Sequence, residues 1–148
     1  MCIRDSPNID IAFSGFTKHI DVLGCFSIYA ENNISDAKIL HAAAVTAELL
    51  DNNEDGVVDD TLIEIQLKHK EAFTPIFAYQ GSNAEDLLFN HYQGDGVSAV
   101  LYDNEISPYQ TGHWGSDATV EEIIHTINHI GHTYVSVSYT HLTLPTKA

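Results

Sequence analysis

The chain contains 148 residues, and 21 acidic residues against 6 lysines and arginines give it a formal net charge of −15 at pH 7. A field of this sign repels phosphate backbones and anionic lipid, which argues against a nucleic-acid partner or a membrane-surface partner. It favours metal ions as partners, or a salty medium. No apolar run approaches the roughly 20 residues that a membrane-spanning helix needs, so we expect no membrane span.

Both ends of the chain resemble translated sequencing adapter. The first six residues read MCIRDS and the last twelve read VSYTHLTLPTKA, and both match one transposon-end oligonucleotide translated on opposite strands. We therefore expect residues 1–6 and 137–148 to be adapter-derived, and residues 7–136 to form a single truncated domain. The native N-terminus, with any signal peptide, would then lie outside this sequence.

The first half of that domain predicts one strand followed by two helices. Residues 19–30, HIDVLGCFSIYA, are rich in β-branched and aromatic side chains and predict a buried strand, in which Cys25 is a small buried side chain. Apolar residues recur at helical spacing over residues 36–50 and predict a helix. A second helix is expected to begin after a capping Asp60 or Thr61. Its inward-facing residues are predicted to be Leu62, Ile65 and Leu67.

The second half alternates between strands and helices again. The predicted elements are a strand at residues 74–79, a short helix at 83–90, a strand at 97–103, a polar loop at 104–116 and a last helix from Thr119 to Gly131. Pro75 is expected at the entrance of its strand because proline lacks the N–H that a ladder needs. Thr119 and Glu122 have the spacing of a capping box. This alternation predicts an α/β or α+β fold, a small sheet packed with helices and carrying an inserted helix-loop-helix.

The sequence between the first two helices, DNNEDGVVDD, resembles the calcium-binding loop of EF-hand proteins. An EF-hand loop supplies oxygens from positions 1, 3, 5, 7 and 9, the seventh through its backbone carbonyl, with glycine at position 6. Within residues 51–62 that glycine is Gly56. The expected Ca²⁺ ligands are Asp51, Asn53, Asp55, the carbonyl of Val57, and Asp59.

One position of this loop departs from the EF-hand pattern. Position 12 normally carries a bidentate glutamate, but here it is Leu62. The loop also resembles the abbreviated calcium loops of extracellular modules, so we expect a dissociation constant of roughly 10⁻⁴ to 10⁻³ M and a structural role. The alternative is an Asx-rich surface turn that holds only water.

Residues 121–132, EEIIHTINHIGH, predict a helix with two distinct faces. At about 100° per residue, His125, His129 and His132 fall within about 60° of one another, and Glu121 and Glu122 extend the same stripe. The opposite face carries the isoleucines that are predicted to enter the core, Ile123, Ile124, Ile127 and Ile130. The alternative to a metal site is the solvated polar face that any amphipathic helix has.

Within this helix, the segment HTINH resembles the His-Glu-x-x-His element of zincin metalloproteases in both histidines, although Thr126 stands where that family has its glutamate. The order of the predicted elements also resembles the N-terminal half of zincin domains. The resemblance implies a Zn²⁺ ion bound by His125 and His129, with His132 or a downstream residue as the third ligand.

The chemistry that this resemblance implies also needs a base beside the metal. Glu121 or Glu122 would be that base or a further ligand, and a zinc-activated water would hydrolyse a peptide or protein substrate. The loop at residues 113–115 is expected either to fold over the helix or to form an ordinary surface loop with Trp114 as a packing anchor.

The combination of LLDNNEDGVVDD with a later EEIIHTINHIGH also resembles a set of bacterial, often marine, proteins. An acidic, lysine-poor chain with a calcium loop fits an extracellular or periplasmic location. Two classes of function stay open. In the first, the chain is a calcium-binding extracytoplasmic domain fragment with a zinc site on its last helix. In the second, it is a zincin-like metallohydrolase, a peptidase, truncated before its third ligand.

Overall fold

The computed structural model describes residues 1–5, 10–109 and 117–132. Over these residues the chain has an α+β fold, in which four α-helices pack against a five-stranded mixed sheet. The strands are β1 Arg4–Asp5, β2 Lys18–Val22, β3 Phe26–Ala30, β4 Phe73–Phe77 and β5 Leu101–Tyr102. The helices are α1 Asp36–Leu50, α2 Thr61–His69, α3 Asn83–His91 and α4 Thr119–Thr126, with 3-10 helices at Ile11–Phe13 and Asp103–Glu105 and a π-helix at Ile127–His132.

The strands lie across the sheet in chain order, from β1 to β5. β1, β2 and β3 pair antiparallel, whereas β3, β4 and β5 pair parallel. A parallel pair needs a crossover connection, so α1 and α2 link β3 to β4, and α3 links β4 to β5. Both residues of β1 are exposed, and they lie in the stretch that is expected to be adapter-derived. None of the helices within the described ranges has the length and apolar character to cross a bilayer.

The predicted single strand at residues 19–30 is wrong, because the chain reverses direction in the middle of it. Leu23 and Gly24 both have positive φ, 52° and 68°, and the N–H of Cys25 donates to the carbonyl of Val22 at 3.2 Å. Two consecutive residues of positive φ are what a tight turn between antiparallel strands requires. Cys25 is buried as expected, but it lies in this turn and not in a strand.

The sheet separates two apolar layers, because alternate residues of a strand point to opposite faces. One face packs against α1, α2, α4 and the π-helix through buried aliphatic side chains, which include Ile20, Ile28, Ile39, Leu67, Ile76 and Ile123. The other face packs against α3 and the first 3-10 helix through a mainly aromatic layer, which includes Phe13, Phe16, Phe73, Phe77 and Leu88. The sheet is therefore covered by helices on both sides.

The predicted helix at residues 36–50 is confirmed at both ends, since α1 spans Asp36–Leu50. Ser35 is its N-cap, and the Ser35 hydroxyl accepts the N–H of Lys38 at 3.4 Å. Ala42 and Ala43 are fully buried on its inner face, so this helix can approach its neighbours closely. The predicted helix at residues 83–90 is also confirmed, since α3 spans Asn83–His91.

The two predicted parallel strands differ from the structure in their limits. β4 begins earlier than predicted, at Phe73, and β5 is only two residues long. Pro75 is therefore the third residue of β4 and does not stand at its entrance. The structure accommodates this proline because the β4–β5 pairing begins only at Ile76.

Helix α2 turns a different side to the core from the one predicted. Leu62 and Ile65 were predicted to face inward, but both are more than half exposed. Ile63 and Leu67, four residues apart, are buried instead. The reason lies in the partner, because this side of α2 packs against the π-helix Ile127–His132.

The last helix does not continue as an α-helix to Gly131. It becomes a π-helix from Ile127, where the hydrogen bonds span five residues rather than four. Gly131 fits closely against α2, since an added Cβ would lie 2.9 Å from Cγ2 of Ile63. Of the four isoleucines that were predicted to enter the core, Ile124 is the exception and is 36% exposed.

Replacing Leu67 with alanine is expected to lower the free energy of unfolding by about 2–5 kcal/mol, because a fully buried leucine leaves a cavity. Leu62→Ala on the same helix is the matched control, and its effect is expected to stay within about 0.5 kcal/mol because Leu62 is 52% exposed. Urea denaturation of both variants measures the difference. Equal losses would contradict the orientation of α2.

Candidate functional site

The loop between α1 and α2, residues 51–60, is here called the acidic loop. It begins at Asp51, which ends α1 as its C-cap and is only 7% exposed. The two carboxylate oxygens of Asp51 accept the backbone N–H groups of Asp55 at 3.2 Å and Gly56 at 2.8 Å. The first predicted ligand therefore stands at the centre of the loop and holds its backbone in a curve.

The next predicted ligands also bind the backbone of their own loop. Oδ1 of Asn53 accepts the N–H of Asp55 at 2.9 Å, and Oδ1 of Asp55 accepts the N–H of Val57 at 2.9 Å. Glu54 and Gly56 have φ of 61° and 84°. Gly56 therefore occupies a left-handed conformation that glycine adopts without strain, as the predicted sharp turn requires.

Asp59 closes the loop. Its N–H donates to the carbonyl of Leu50 at 2.9 Å, and its carboxylate accepts hydrogen bonds from the side-chain amides of Asn52 at 3.2 Å and Asn53 at 3.1 Å. The neighbouring carboxylate has another role, because Oδ1 of Asp60 accepts the N–H of Leu62 as the N-cap of α2. Leu62, at position 12 of the loop, lies on α2 and supplies no oxygen ligand from its side chain.

The acidic loop carries five carboxylates, and no lysine, arginine or histidine of the described residues forms an ion pair with any of them. Across the three described ranges, no group of three or more histidine, cysteine, aspartate or glutamate side chains stands where it could hold a metal ion. Carboxylates repel one another at short range. They would therefore converge on one point only with a cation between them.

Helix α4 and the π-helix that continues it, Thr119–Thr126 and Ile127–His132, are here called the histidine helix. The histidine helix borders a cavity of about 850 Å³, here called the histidine cavity. His125 and His129 line it, as does Glu122. Glu121 and His132 belong to the predicted polar stripe but do not line the cavity. The change to a π-helix at Ile127 alters the rotation per residue, which is why His132 leaves the predicted stripe.

The electrostatic setting of the two predicted acidic residues differs. Burial raises the pKa of Glu122, and the charges of Glu121 and Glu105 raise it further against the opposing effect of His125. Glu121 instead lies 3.8 Å from Nε2 of His125 in an exposed pair. Glu122 is therefore the predicted acid that the structure places with the two histidines.

Sequence reasoning missed the wall of the cavity that faces the helix. Tyr102, Glu105 and Phe89 line it together with the segment before β5. The Tyr102 hydroxyl donates to the buried Glu85 at 2.5 Å, and burial raises the pKa of Tyr102 to about 12, with a further rise from that bond. Glu105 accepts the N–H of Tyr102 at 3.0 Å. No sequence spacing connects these residues to the histidine helix, so only the fold reveals them.

Thr126 occupies the position at which zincins have their glutamate, and here it has a structural role. It is fully buried, and its hydroxyl oxygen accepts the N–H of Ala99 at 3.2 Å. This bond ties the histidine helix to the segment that leads into β5. Residues 113–115, which were expected to fold over the helix or to form a surface loop, lie outside the described residues, as does any ligand beyond His132.

The start of α4 is held by Asp117 and not by the predicted capping box of Thr119 and Glu122. Oδ1 of Asp117 accepts both the N–H and the hydroxyl of Thr119, at 3.2 and 2.5 Å, and Oδ2 pairs with Nε2 of His41 on α1 at 2.7 Å. Burial raises the pKa of Asp117, but the hydrogen bonds from Thr119 and His41 outweigh this effect and leave the pKa lowered.

No protein-family model, curated protein or solved structure matches the chain.

Asp117→Asn is expected to lower the free energy of unfolding at pH 7 by about 1–3 kcal/mol, because it removes charge-assisted hydrogen bonds at a mostly buried position. The pKa of Asp117 is lowered by folding, so its stabilising effect is present above the ordinary aspartate pKa of about 3.9 and is lost as the pH falls through the folded-state pKa. Urea denaturation across this pH range should show parent and variant converging in acid.

Asp36→Asn is the control for this measurement. Asp36 also pairs with a basic residue, Lys18, at 3.0 Å, but its side chain is 66% exposed. An exposed pair contributes at most about 1 kcal/mol. A pH-independent difference between parent and Asp117→Asn would contradict the assigned role of Asp117.

Proposed function

We propose that this chain is a calcium-binding domain fragment, in which the acidic loop holds one Ca²⁺ ion for a structural purpose. The observation that carries the proposal is the position of Asp51. Its carboxylate is buried at the C-terminal end of α1, and the last turn of α1 holds no basic residue. A helix C-terminus has a partial negative charge, so a carboxylate there is destabilised unless a cation is near.

The donor set of the loop fits a calcium ion in its chemistry. Ca²⁺ takes six to eight oxygen ligands from carboxylates, amide carbonyls, backbone carbonyls and water. The acidic loop offers these from Asp51, Asn53, Asp55, Val57 and Asp59 around the turn at Gly56. The hydrogen bonds that Asp59 accepts come from neutral amides, so its charge stays available to a cation.

The missing acid at position 12 indicates weak binding. Without the bidentate glutamate we infer a dissociation constant of roughly 10⁻⁴ to 10⁻³ M, which is the range of extracellular calcium modules. An ion bound this weakly supports the structure where calcium is abundant, and this fits an extracellular or periplasmic location. Its structural effect would be to fix α2 relative to α1, since the loop joins their ends.

Millimolar calcium is expected to raise the free energy of unfolding of the parent chain. At about 10 mM calcium, which is 10 to 100 times the inferred dissociation constant, the gain for one site is about 1.4–2.7 kcal/mol. The double variant Asp55→Asn, Asp59→Asn should lose this gain, because it keeps the size of both side chains and removes two ligand charges. Thermal or urea unfolding with and without CaCl₂ measures the effect, with MgCl₂ as the ion control.

Glu54→Gln is the matched variant for the loop. Glu54 lies between the predicted ligands at position 4 of the loop and is exposed, so its substitution changes the charge without removing a ligand. It should retain most of the calcium gain. If parent and double variant unfold identically with and without calcium, the loop is a water-filled Asx turn and the proposal is wrong.

A second candidate function is a zincin-like metallohydrolase, and it is favoured by one observation. His125, His129 and Glu122 line the same cavity, which is large enough for a substrate. A Zn²⁺ ion held by the two imidazoles would supply an activated water for hydrolysis of a peptide. In this hydrolase Glu122 would be the base that receives a proton from the activated water. Thr126, which stands at the position of the zincin glutamate, is hydrogen bonded to the N–H of Ala99.

Zinc binding is expected to require His125 and His129 but not His132. The double variant His125→Ala, His129→Ala should lose a zinc equivalent that the parent retains after dialysis, as measured by mass spectrometry of metal content. His132→Ala is the matched control, because His132 lies on the same helix and does not line the cavity. Equal zinc content in parent and double variant would eliminate the metallohydrolase.

A further inference from the structure

The histidine cavity is lined by glutamates and aromatic rings, whether or not it holds a metal ion. We propose that it binds an organic cation, a ligand with an ammonium, amidinium or guanidinium group on an apolar body. This inference goes beyond calcium binding by the acidic loop and does not require zinc in the cavity. It rests on the charge of the cavity, on its aromatic lining and on its size.

The first observation concerns charge. Glu105 and Glu122 both line the cavity, and no lysine or arginine of the described residues does. Each lysine of the described part is paired with an acid elsewhere, in the pairs Lys18–Asp36, Lys38–Asp103, Lys68–Glu64 and Lys70–Asp95. Arg4 lies in β1, at the opposite edge of the sheet from β5. The described residues therefore place no lysine or arginine at these two glutamates.

The two glutamates line the same cavity, so that the charge of one acts on the other. Burial raises the pKa of Glu122, His125 opposes this rise, and the charges of Glu121 and Glu105 add to it. The hydrogen bond that Glu105 accepts comes from the N–H of Tyr102, a neutral donor that leaves the negative charge in place. A cation that enters the cavity would relieve this repulsion and gain an ion pair that is partly shielded from water.

The second observation concerns the aromatic lining. Phe89 is 58% exposed and Tyr102 is partly exposed, and both line the cavity. Both rings are held from behind by Phe77, at centroid distances of 6.1 and 6.0 Å. The Tyr102 hydroxyl is fixed on Glu85. Aromatic rings next to carboxylates bind the apolar body of an organic cation and attract its charge.

The third observation concerns size and access. The cavity volume of about 850 Å³ lies within the range of sites that hold small organic ligands. The net charge of −15 concentrates cations near the surface and repels anions. An anionic ligand would meet both this field and the two glutamates. A neutral ligand such as a sugar would not use the charge at all, and this difference separates the alternatives experimentally.

The test uses benzamidine as the cationic probe and benzamide as its neutral match in shape. Titrations of the full chain are followed by NMR of the His125 and His129 rings, in calcium-containing buffer stripped of transition metals. Benzamidine should change the chemical shifts of both rings, and its dissociation constant should be at least about tenfold lower than that of benzamide. Comparable affinity for the two probes, or no shift of these rings with benzamidine, would overturn the proposal.

Neighbouring glutamates on the helix provide the matched variants. Glu122→Gln should weaken benzamidine binding by about tenfold, whereas Glu121→Gln should leave it within about twofold because Glu121 does not line the cavity. Equal weakening in both variants would show only a general attraction to an acidic surface and would overturn the proposal. Should Glu122→Gln fail to fold, Glu105→Gln tests the same pair from the opposite wall, with the same expected loss.

Discussion

The parallel pairing of β3 with β4 is the constraint on which the arrangement of both candidate sites depends. Parallel neighbours cannot be joined by a hairpin, so the chain must leave the sheet after Ala30 and return at Phe73 in register. The crossover that does this contains α1, the acidic loop and α2. The acidic loop is thus the point at which the crossover reverses, and its conformation decides how α2 returns. Two hydrogen bonds fix that reversal: the Gly56 N–H donates to the Asp51 carboxylate, and the Asp59 N–H donates to the Leu50 carbonyl.

Helix α1 connects this crossover to the histidine helix. Its inner face packs on β2 and β3 and also on α4, and His41 on α1 holds Asp117 at the start of α4. At the other end, α2 supports the π-helix, where Gly131 leaves no space for a side chain against Ile63. The segment that carries His129 is therefore supported by the helix that begins at the end of the acidic loop. The acidic loop and the histidine helix therefore belong to one packed unit on the same face of the sheet.

The sequence predicts those features that local chemistry decides. Both ends of α1 follow from Ser35 and from the apolar spacing, and the turn at Gly56 follows from a glycine in a run of Asx residues. Local patterns fail where a tertiary partner decides the outcome. The buried side of α2 depends on the π-helix, which begins 58 residues after α2 ends. The chain reverses at Leu23 with a positive φ, which leucine rarely adopts. Gly24 is therefore the one residue of this turn whose type indicates a hairpin. The cavity wall at Tyr102 and Glu105 meets the histidine helix only through the fold.

The distribution of positive charge gives both sites a common physical basis. A chain with this excess of acid is destabilised by self-repulsion, and its few lysines cannot neutralise every carboxylate. The lysines pair at places that support the fold, such as Lys18 beside the N-terminus of α1 and Lys70 at the C-cap of α2. The carboxylates of the acidic loop and of the histidine cavity are left without such partners among the described residues. Under the two proposals, cations from outside the chain relieve this repulsion, a small hard ion at the acidic loop and a larger organic one where Glu105 and Glu122 line a cavity with aromatic rings.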